Sequence, residues 1–97
     1  MRVITRRKLK EFYSIHADAK SQLESWFREA KIARWKTPAD VAAQFPRADF
    51  ISGNRVVFDI VGNSYRLIVK IHYNTGLVFI RFVGTHAAYD RINAAAI

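Results

Sequence analysis

The segment RVVFDIVGNSYRLIVKIHYNTGLVFIRFVG (residues 55–84) decides the fold, because apolar residues alternate with other residues along most of it. The turn signals GNS and NTG divide it into three strands, which we predict at residues 55–61, 65–73 and 77–84. Short turns between successive strands indicate an antiparallel meander. Because helical periodicity precedes these strands, we predict an α+β fold: N-terminal helices packed on a twisted antiparallel sheet, followed by a short C-terminal helix.

The pairing of the second and third strands follows from the cost of burying a charge. A hairpin loop with an even number of residues makes one face apolar throughout, with Leu67, Val69 and Ile71 beside Val78, Ile80 and Phe82. An odd loop would place Arg81 in the core without a partner, which is costly. We therefore predict the even loop, which groups Arg66, Lys70 and Arg81 on the opposite face. An even loop between the first and second strands likewise places Asp59 opposite Arg66, where the two form an ordinary cross-strand ion pair.

The residues before the meander contain three predicted helices. Apolar residues recur at helical spacing in the first two, which are amphipathic, and we expect Thr5 and Asp18 to cap them. The tetrapeptide TPAD (residues 37–40) predicts a third, short helix, because a threonine cap, a proline in the first turn and a nearby acid favour a helix start. Pro46 ends that helix. The β-branched stretch RVIT (residues 2–5) predicts a short edge strand.

The composition limits the class of protein. The 97 residues include 16 Lys and Arg against 8 Asp and Glu, so the net charge is +8 and the pI is about 10.3. Such a charge favours a polyanionic partner, either a nucleic acid or a strongly acidic protein segment; a basic surface without a partner is the alternative. We predict one cytoplasmic domain, residues 1–97, with no membrane span or secretory signal. With no cysteine and no carboxylates at metal-ligand spacing from the three histidines, we predict no metal or other cofactor.

The candidate chemistry lies where the last predicted strand ends, in RFVGTHAAYD (residues 81–90). We expect Thr85 to cap a terminal helix on which His86, Tyr89 and Asp90 share one side. The positive end of the helix and the cations of the sheet disfavour an imidazolium, so we expect a neutral His86 whose ring Asp90 orients. A capping or packing role without any chemistry is the alternative for these side chains.

A histidine, a tyrosine and cations that act on an anionic chain without a metal fit RNA cleavage. The 2′-hydroxyl of RNA supplies the nucleophile, so the protein must take a proton, stabilise the charged phosphorane and protonate the leaving 5′-oxygen. In this hypothesis His86 is the base and Tyr89 orients the substrate or donates the proton. Arg81 and Lys70 stabilise the charge. Two other hypotheses remain open: a non-catalytic RNA-binding module, and a protein-interaction domain that docks an acidic helix.

Four segments together resemble the HigB family of bacterial toxins, within the wider RelE-like group: RVIT, WKTPADVAAQFPRADF, VVFDIVGNSYRLIVKIHY and VFIRFVGTHAAYDRI. The hairpin from Phe58 to Arg66 and the ending THAAYD are the most specific pieces. The resemblance implies a RelE-like fold and the toxin of a type II toxin–antitoxin system. Such toxins cleave mRNA, typically in the A site of the small ribosomal subunit. The implied partner is a HigA-type helix-turn-helix antitoxin.

The resemblance also implies which residues act. The functional positions of the family fall on Arg66, Lys70, Arg81, His86 and Tyr89. We expect the three cations among them to bind RNA, and all but Arg66 to take part in catalysis. One departure concerns Asp59, because family members usually have an amide at this position. A pair between Asp59 and Arg66 would hold Arg66 away from RNA.

Overall fold

The computed structural model describes residues 1–97 as a five-stranded sheet with helices on its faces. The strands are β1 (Arg2–Ile4), β2 (Asp49–Ile51), β3 (Arg55–Ile60), β4 (Tyr65–His72) and β5 (Leu77–Thr85). The helices are α1 (Arg7–Ile15), α2 (Lys20–Ile32), α3 (Pro38–Gln44) and α4 (His86–Asp90), and a 3₁₀ turn (Ala17–Ala19) joins α1 to α2. No helix has the length and apolar character that crossing a bilayer requires.

The strands lie in the order β1-β5-β4-β3-β2. Strands β2 to β5 pair with one another antiparallel, whereas β1 pairs with β5 in parallel. The predicted α+β fold is confirmed, and so is the meander, whose three strands begin as predicted and end within one residue of the prediction. The predicted N-terminal edge strand corresponds to β1. Strand β2 is additional and was not predicted.

The core lies between the sheet and helices α1 and α2. Leu9 of α1 and Leu23 of α2 are buried there, together with alternate residues of the central strand, namely Leu67, Val69 and Ile71. Trp26 of α2 meets Phe58 of β3 edge-on, with their ring centroids 5.5 Å apart. Burying a side chain of leucine size stabilises the fold by about 2 kcal/mol. The apolar face therefore fixes which residues of the strands point away from the core.

The pairing of β4 with β5 matches the predicted register only as far as Ile80. A β-bulge follows, so Arg81 has no partner and the next pair is Ile68 with Phe82. The predicted core position of Phe82 is therefore wrong, and Val83 packs against the core instead. The bulge leaves Arg81 exposed and returns an apolar residue to the core, which avoids burying an unpaired charge.

Of the side-chain caps predicted for the first three helices, only the cap of α3 forms. Thr37 forms the predicted cap: its Oγ1 accepts from the Asp40 N–H at 3.4 Å, and the Asp40 carboxylate accepts from the Thr37 N–H at 3.1 Å. The predicted caps at Thr5 and Asp18 are wrong. Thr5 has a φ of 72° and does not cap α1. The Asp18 carboxylate instead accepts a hydrogen bond from the Tyr65 hydroxyl at 2.7 Å.

The second face of the sheet is covered in part by the chain that follows β5. Val57 and Ile68 are paired across β3 and β4 and are buried, although neither belongs to the core cluster. Helix α4 packs against β4 and β5, and the Arg55 Nε donates to the Ile97 carbonyl oxygen at 2.6 Å. The C-terminal residues therefore limit how much of this face is open to a partner.

Candidate active site

Arg66 lies at the centre of a polar cluster on the second face of the sheet. It stands opposite Asp59 on β3 and opposite Gly84 on β5. The guanidinium contacts three side chains: Nε lies 2.9 Å from Asp59 Oδ1, Nη1 lies 3.5 Å from Asp49 Oδ2, and Nη2 lies 3.2 Å from His86 Nε2. Only 17% of the Arg66 side chain is exposed, so the guanidinium is held in one place.

The predicted pair between Asp59 and Arg66 is confirmed, as an ion pair rather than a hydrogen bond. The Nε atom of Arg66 is buried, and no acceptor is aligned with its N–H, although Asp59 Oδ1 is 2.9 Å away. Because a third of the Asp59 side chain is exposed, solvent screens the pair, and it stabilises the fold by only about 0.5 kcal/mol. The pair positions Arg66 and offsets part of its charge.

Helix α4 brings His86 and Tyr89 to the guanidinium. Thr85 caps this helix as predicted, since its Oγ1 accepts from the backbone N–H three residues later at 3.1 Å. The backbone N–H of His86 donates to the Ser64 carbonyl oxygen at 3.1 Å, which ties the start of α4 to the β3–β4 turn. The Tyr89 ring lies against the guanidinium, with Arg66 Cζ 4.9 Å from the ring centroid.

Both ring nitrogens of His86 have a polar neighbour. A guanidinium has donors only, so the Nε2 of His86 accepts in its contact with Arg66 and therefore has no proton. The other ring nitrogen, Nδ1, lies 3.4 Å from Asp90 Oδ2, which is placed to accept its proton. The His86 side chain is 41% exposed, so a substrate can reach it.

The other two predicted cations are not joined to this cluster. Lys70 lies on β4 opposite Arg55, and Arg81 lies at the bulge; neither forms a hydrogen bond or an ion pair with the cluster. Arg81 lines a shallow groove of about 350 Å³ along α1, where the Lys8 Nζ donates to its carbonyl oxygen at 3.4 Å. The predicted grouping of Arg81 with Arg66 and Lys70 assumed unbroken alternation, and the bulge breaks that alternation.

Two residues near the cluster were not predicted. Asp49 lies on β2, a strand of three residues that is too short to show a pattern. The bulge moves Phe82 to this side of the sheet, where its ring lies over Gly84, the residue opposite Arg66. A Cβ on Gly84 would stand 2.5 Å from the Phe82 ring, so glycine leaves room for the aromatic side chain. The glycine at the end of the predicted strand 77–84 is the signal that could have indicated this close approach.

Together these residues provide a proton acceptor, a fixed cation and a phenol hydroxyl in close proximity. The rings of His86 and Tyr89 are 6.1 Å apart between centroids, and Arg66 contacts both. No group of three or more His, Asp or Glu side chains is placed to hold a metal ion. The arrangement suits acid–base chemistry on an anionic substrate.

The model of a known protein family matches most of this chain. The model of the HigB toxin family, described as the RelE-like toxic component of a toxin–antitoxin system, matches residues 19–92. The chain belongs to this family. The matched residues run from the end of the 3₁₀ turn to two residues beyond α4, and they include Arg66, His86 and Tyr89. The helices packed on a mostly antiparallel sheet agree with a RelE-like fold.

Two HigB relatives are similar to nearly the whole chain. The mRNA interferase HigB of Escherichia coli O6:H1 is 28% identical over 94 residues, which are 95% of this chain and 91% of that protein. The mRNA interferase HigB of Shigella flexneri is 27% identical over 96 residues, which are 97% of this chain and 92% of that protein. The similarity therefore extends beyond the family match to β1 and α1.

Proposed function

We propose that this HigB-family toxin is an endoribonuclease that cleaves mRNA. Membership of the family and the names of the two relatives, both mRNA interferases, support this activity. The single observation that best supports the chemistry is the contact of 3.2 Å between Arg66 Nη2 and His86 Nε2. A fixed cation beside a ring nitrogen that can accept a proton supports attack on a phosphodiester.

In the proposed reaction, the scissile phosphate binds between Arg66 and His86 and replaces their direct contact. The Nε2 of His86 takes the proton of the 2′-hydroxyl, and the 2′-oxygen forms a bond to the adjacent phosphorus. The bond between phosphorus and the 5′-oxygen breaks, and the Tyr89 hydroxyl donates a proton to that oxygen. The products are a 2′,3′-cyclic phosphate and a 5′-hydroxyl, so this step consumes no water. DNA lacks the nucleophile and is not cleaved.

The three cations have different roles in this mechanism. Arg66 donates to the phosphorane oxygens, and its two carboxylate partners keep it in position while offsetting part of its charge. Lys70 and Arg81 lie apart from that cluster, and we assign to them the binding of neighbouring phosphates of the RNA. In this assignment they contribute to catalysis by holding the RNA so that its scissile phosphate lies beside His86.

Phe82 is the proposed contact for a base. Its ring is partly exposed and lies over Gly84, beside the position of Arg66. Aromatic rings bind unstacked RNA bases through their faces, largely independently of sequence. A base that stacks on Phe82 would fix the nucleotide next to the scissile phosphate.

The proposed partners are polyanions and an antitoxin. We propose that the toxin acts in the cytoplasm on mRNA in the A site of the small ribosomal subunit, and the net charge of +8 favours binding to both mRNA and ribosomal RNA. The description of the family includes a toxin–antitoxin system, so we propose a HigA-type helix-turn-helix antitoxin as the protein that keeps the toxin inactive.

Cleavage of an end-labelled mRNA on translating ribosomes tests the proposed function. We expect 2′,3′-cyclic phosphate and 5′-hydroxyl ends, and no cleavage of a message with a 2′-deoxynucleotide at the cleaved position. Cleavage of the deoxy message, or 5′-phosphate ends, would contradict attack by the 2′-hydroxyl. RNA binding without cleavage would favour the non-catalytic RNA-binding module. A parallel reaction on free mRNA measures the requirement for the ribosome.

A further inference from the structure

A shallow groove of about 350 Å³, the α1 groove, lies between α1 and the bulged part of β5. From α1 it is lined by Lys8, Glu11 and Ile15, and from β5 by Arg81, Phe82 and Val83. Of these residues, only Arg81 and Phe82 have a role in the proposed reaction. The α1 side of the groove therefore has no function so far.

The α1 groove is open because β1 is short. Strand β1 pairs with β5 only from Leu77 to Phe79, so β5 has no neighbouring strand on its outer side from Ile80 onward. Helix α1 packs against β5 but leaves this outer side accessible at the bulge. Side chains at the bulge are therefore free to contact a partner, and Arg81 is exposed there.

Phe82 connects the α1 groove to the candidate active site. It lines the groove, and its ring also lies over Gly84, the residue opposite Arg66. Because strand residues rise by about 3.4 Å each, Arg81 lies roughly 10 Å along β5 from the level of Arg66. An RNA chain that leaves the scissile phosphate over Phe82 would therefore reach the groove within a few nucleotides.

The charge of the groove favours a phosphodiester chain. Lys8 and Arg81 are both exposed, and the Lys8 Nζ donates to the Arg81 carbonyl oxygen at 3.4 Å. This contact places the ammonium beside the bulge and leaves its other donors available for a phosphate. The single carboxylate in the lining, Glu11, lies 4.0 Å from Arg7. Arg7 offsets its charge, so the groove is positive as a whole.

The apolar lining of the groove suits bases and riboses. Ile15 is 78% exposed, and the Phe82 ring is partly exposed. Unstacked RNA bases bind apolar and aromatic side chains that lie beside cations contacting the backbone. A second copy of this chain carries the same net charge of +8 and would be repelled. The mixture of cations and apolar side chains therefore favours single-stranded RNA as the ligand.

We propose that the α1 groove is a second RNA-binding site, in which Lys8 and Arg81 bind the phosphates of nucleotides beyond the one that stacks on Phe82. Ile15 contacts their bases or riboses. The identity of the ligand as RNA rests on the proposed function, whereas the location of the site rests on the groove and on its continuity with Phe82. Lys8 is thereby assigned to substrate binding, away from the catalytic groups.

Fluorescence anisotropy with an uncleavable RNA tests the proposal. The probe is a single strand of about 12 nucleotides with 2′-methoxy groups, long enough to extend from the candidate active site into the groove. Lys8→Gln should weaken its binding about fivefold and reduce the slope of log affinity against log salt by about 0.7, the loss of one phosphate contact. Lys8→Arg keeps the charge and should bind like the wild type.

Lys10→Gln is the matched control, because Lys10 is exposed on the same helix but does not line the groove. It should bind the probe within about twofold of the wild type, since salt screens its effect on phosphates bound elsewhere. At saturating toxin, Lys8→Gln and Lys10→Gln should both cleave mRNA on ribosomes at the wild-type single-turnover rate. Neither lysine belongs to the proposed catalytic groups.

NMR on the unchanged protein makes the test independent of any variant. Ile15 and Ile32 are exposed to nearly the same extent, at 78% and 80%, but only Ile15 lines the groove. The probe should therefore shift the methyl signals of Ile15 and leave those of Ile32 in place.

The outcomes separate this inference from the proposed function. Equal affinity of Lys8→Gln and Lys10→Gln for the probe, or unchanged Ile15 signals, would overturn the groove as an RNA site and leave mRNA cleavage intact. Ile15 signals that move with the proposed antitoxin but not with RNA would make the groove a protein interface and overturn RNA as its ligand. A toxin that binds the probe in the groove but does not cleave mRNA would support this site and contradict the proposed function.

Discussion

Arg66 donates a hydrogen bond to His86, with 3.2 Å between Nη2 and the ring Nε2. The two residues are 20 positions apart in the chain and meet because α4 folds back over β4. Since a guanidinium cannot accept a proton, the contact requires an unprotonated Nε2. The resting site therefore holds a proton acceptor beside the cation that would stabilise the phosphorane. Its chemistry depends on geometry as well as on charge.

Replacing Arg66 by lysine separates geometry from charge. Lysine keeps the positive charge, but a single ammonium cannot contact Asp59, Asp49 and His86 together. We expect the single-turnover rate of mRNA cleavage to fall on the order of 100-fold. RNA affinity, measured by fluorescence anisotropy, should change little. A wild-type cleavage rate in Arg66→Lys would show that charge alone suffices.

Asp59→Asn tests how far the ion pair withholds Arg66 from RNA. Removing the carboxylate 2.9 Å from the Nε atom increases the net positive charge of the site. We expect RNA to bind about threefold more tightly, and the free energy of unfolding to fall by about 0.5 kcal/mol. Anisotropy and chemical denaturation measure the two effects. Unchanged RNA affinity would mean that Asp59 does not restrain Arg66.

Phe82→Leu tests the proposed stacking of a base. Loss of one base–aromatic contact is worth about 1–3 kcal/mol, so the affinity for single-stranded RNA should fall by roughly fivefold or more. Phe79→Leu is the matched control, because Phe79 lies on the same strand but packs edge-on against His72, with the centroids 5.0 Å apart. Equal loss of affinity in the two variants would refute a specific role for Phe82.

The stability of the protein at alkaline pH should depend on Tyr73. Burial raises the pKa of its hydroxyl above the ordinary value of 10.0. Below pH 10 the hydroxyl is neutral in both the folded and the unfolded states. Above it the unfolded chain ionises first, so the free energy of unfolding falls as the pH rises through the raised pKa. Tyr73→Phe should remove the part of the decrease in the free energy of unfolding at alkaline pH that comes from this hydroxyl.

Denaturant unfolding between pH 8 and pH 11 measures this loss of stability in the wild type and in Tyr73→Phe. A second tyrosine also contributes to the loss. The pKa of Tyr65 is also raised, chiefly by the hydrogen bond from its hydroxyl to Asp18. A loss of stability above pH 10 should therefore persist in Tyr73→Phe, but with a shallower slope than in the wild type. Identical slopes in the variant and the wild type would contradict the role assigned to Tyr73.

Local patterns predicted most of the fold. Alternating apolar residues defined three strands, and the cap at Thr37 depends on residues three positions apart. Long-range contacts explain the failures. The carboxylate of Asp18 accepts from Tyr65, 47 positions away, and does not cap α2. The bulge at Arg81 breaks the alternation of β5, and no local pattern in the sequence indicated it.

The candidate site could be predicted only in part for the same reason. The cluster joins Arg66 on β4 to His86 and Tyr89 on α4. They meet because α4 directly follows β5, the strand beside β4, and the chain order suggests this relationship. The distance of Arg81 from them could not be foreseen, since it follows from the bulge. Asp49 reaches Arg66 from a strand that only the completed sheet defines.

The most direct test of the central claim is the single-turnover rate of mRNA cleavage on ribosomes for His86→Ala, with His72→Ala as the matched control. His72 is also a histidine on this sheet, but it packs against Phe79 and does not contact Arg66. We expect His86→Ala to cleave on the order of 1,000-fold more slowly than the wild type, as loss of a general base predicts, and His72→Ala to cleave at the wild-type rate. Equal rates for the two variants would contradict the assignment of His86 as the base.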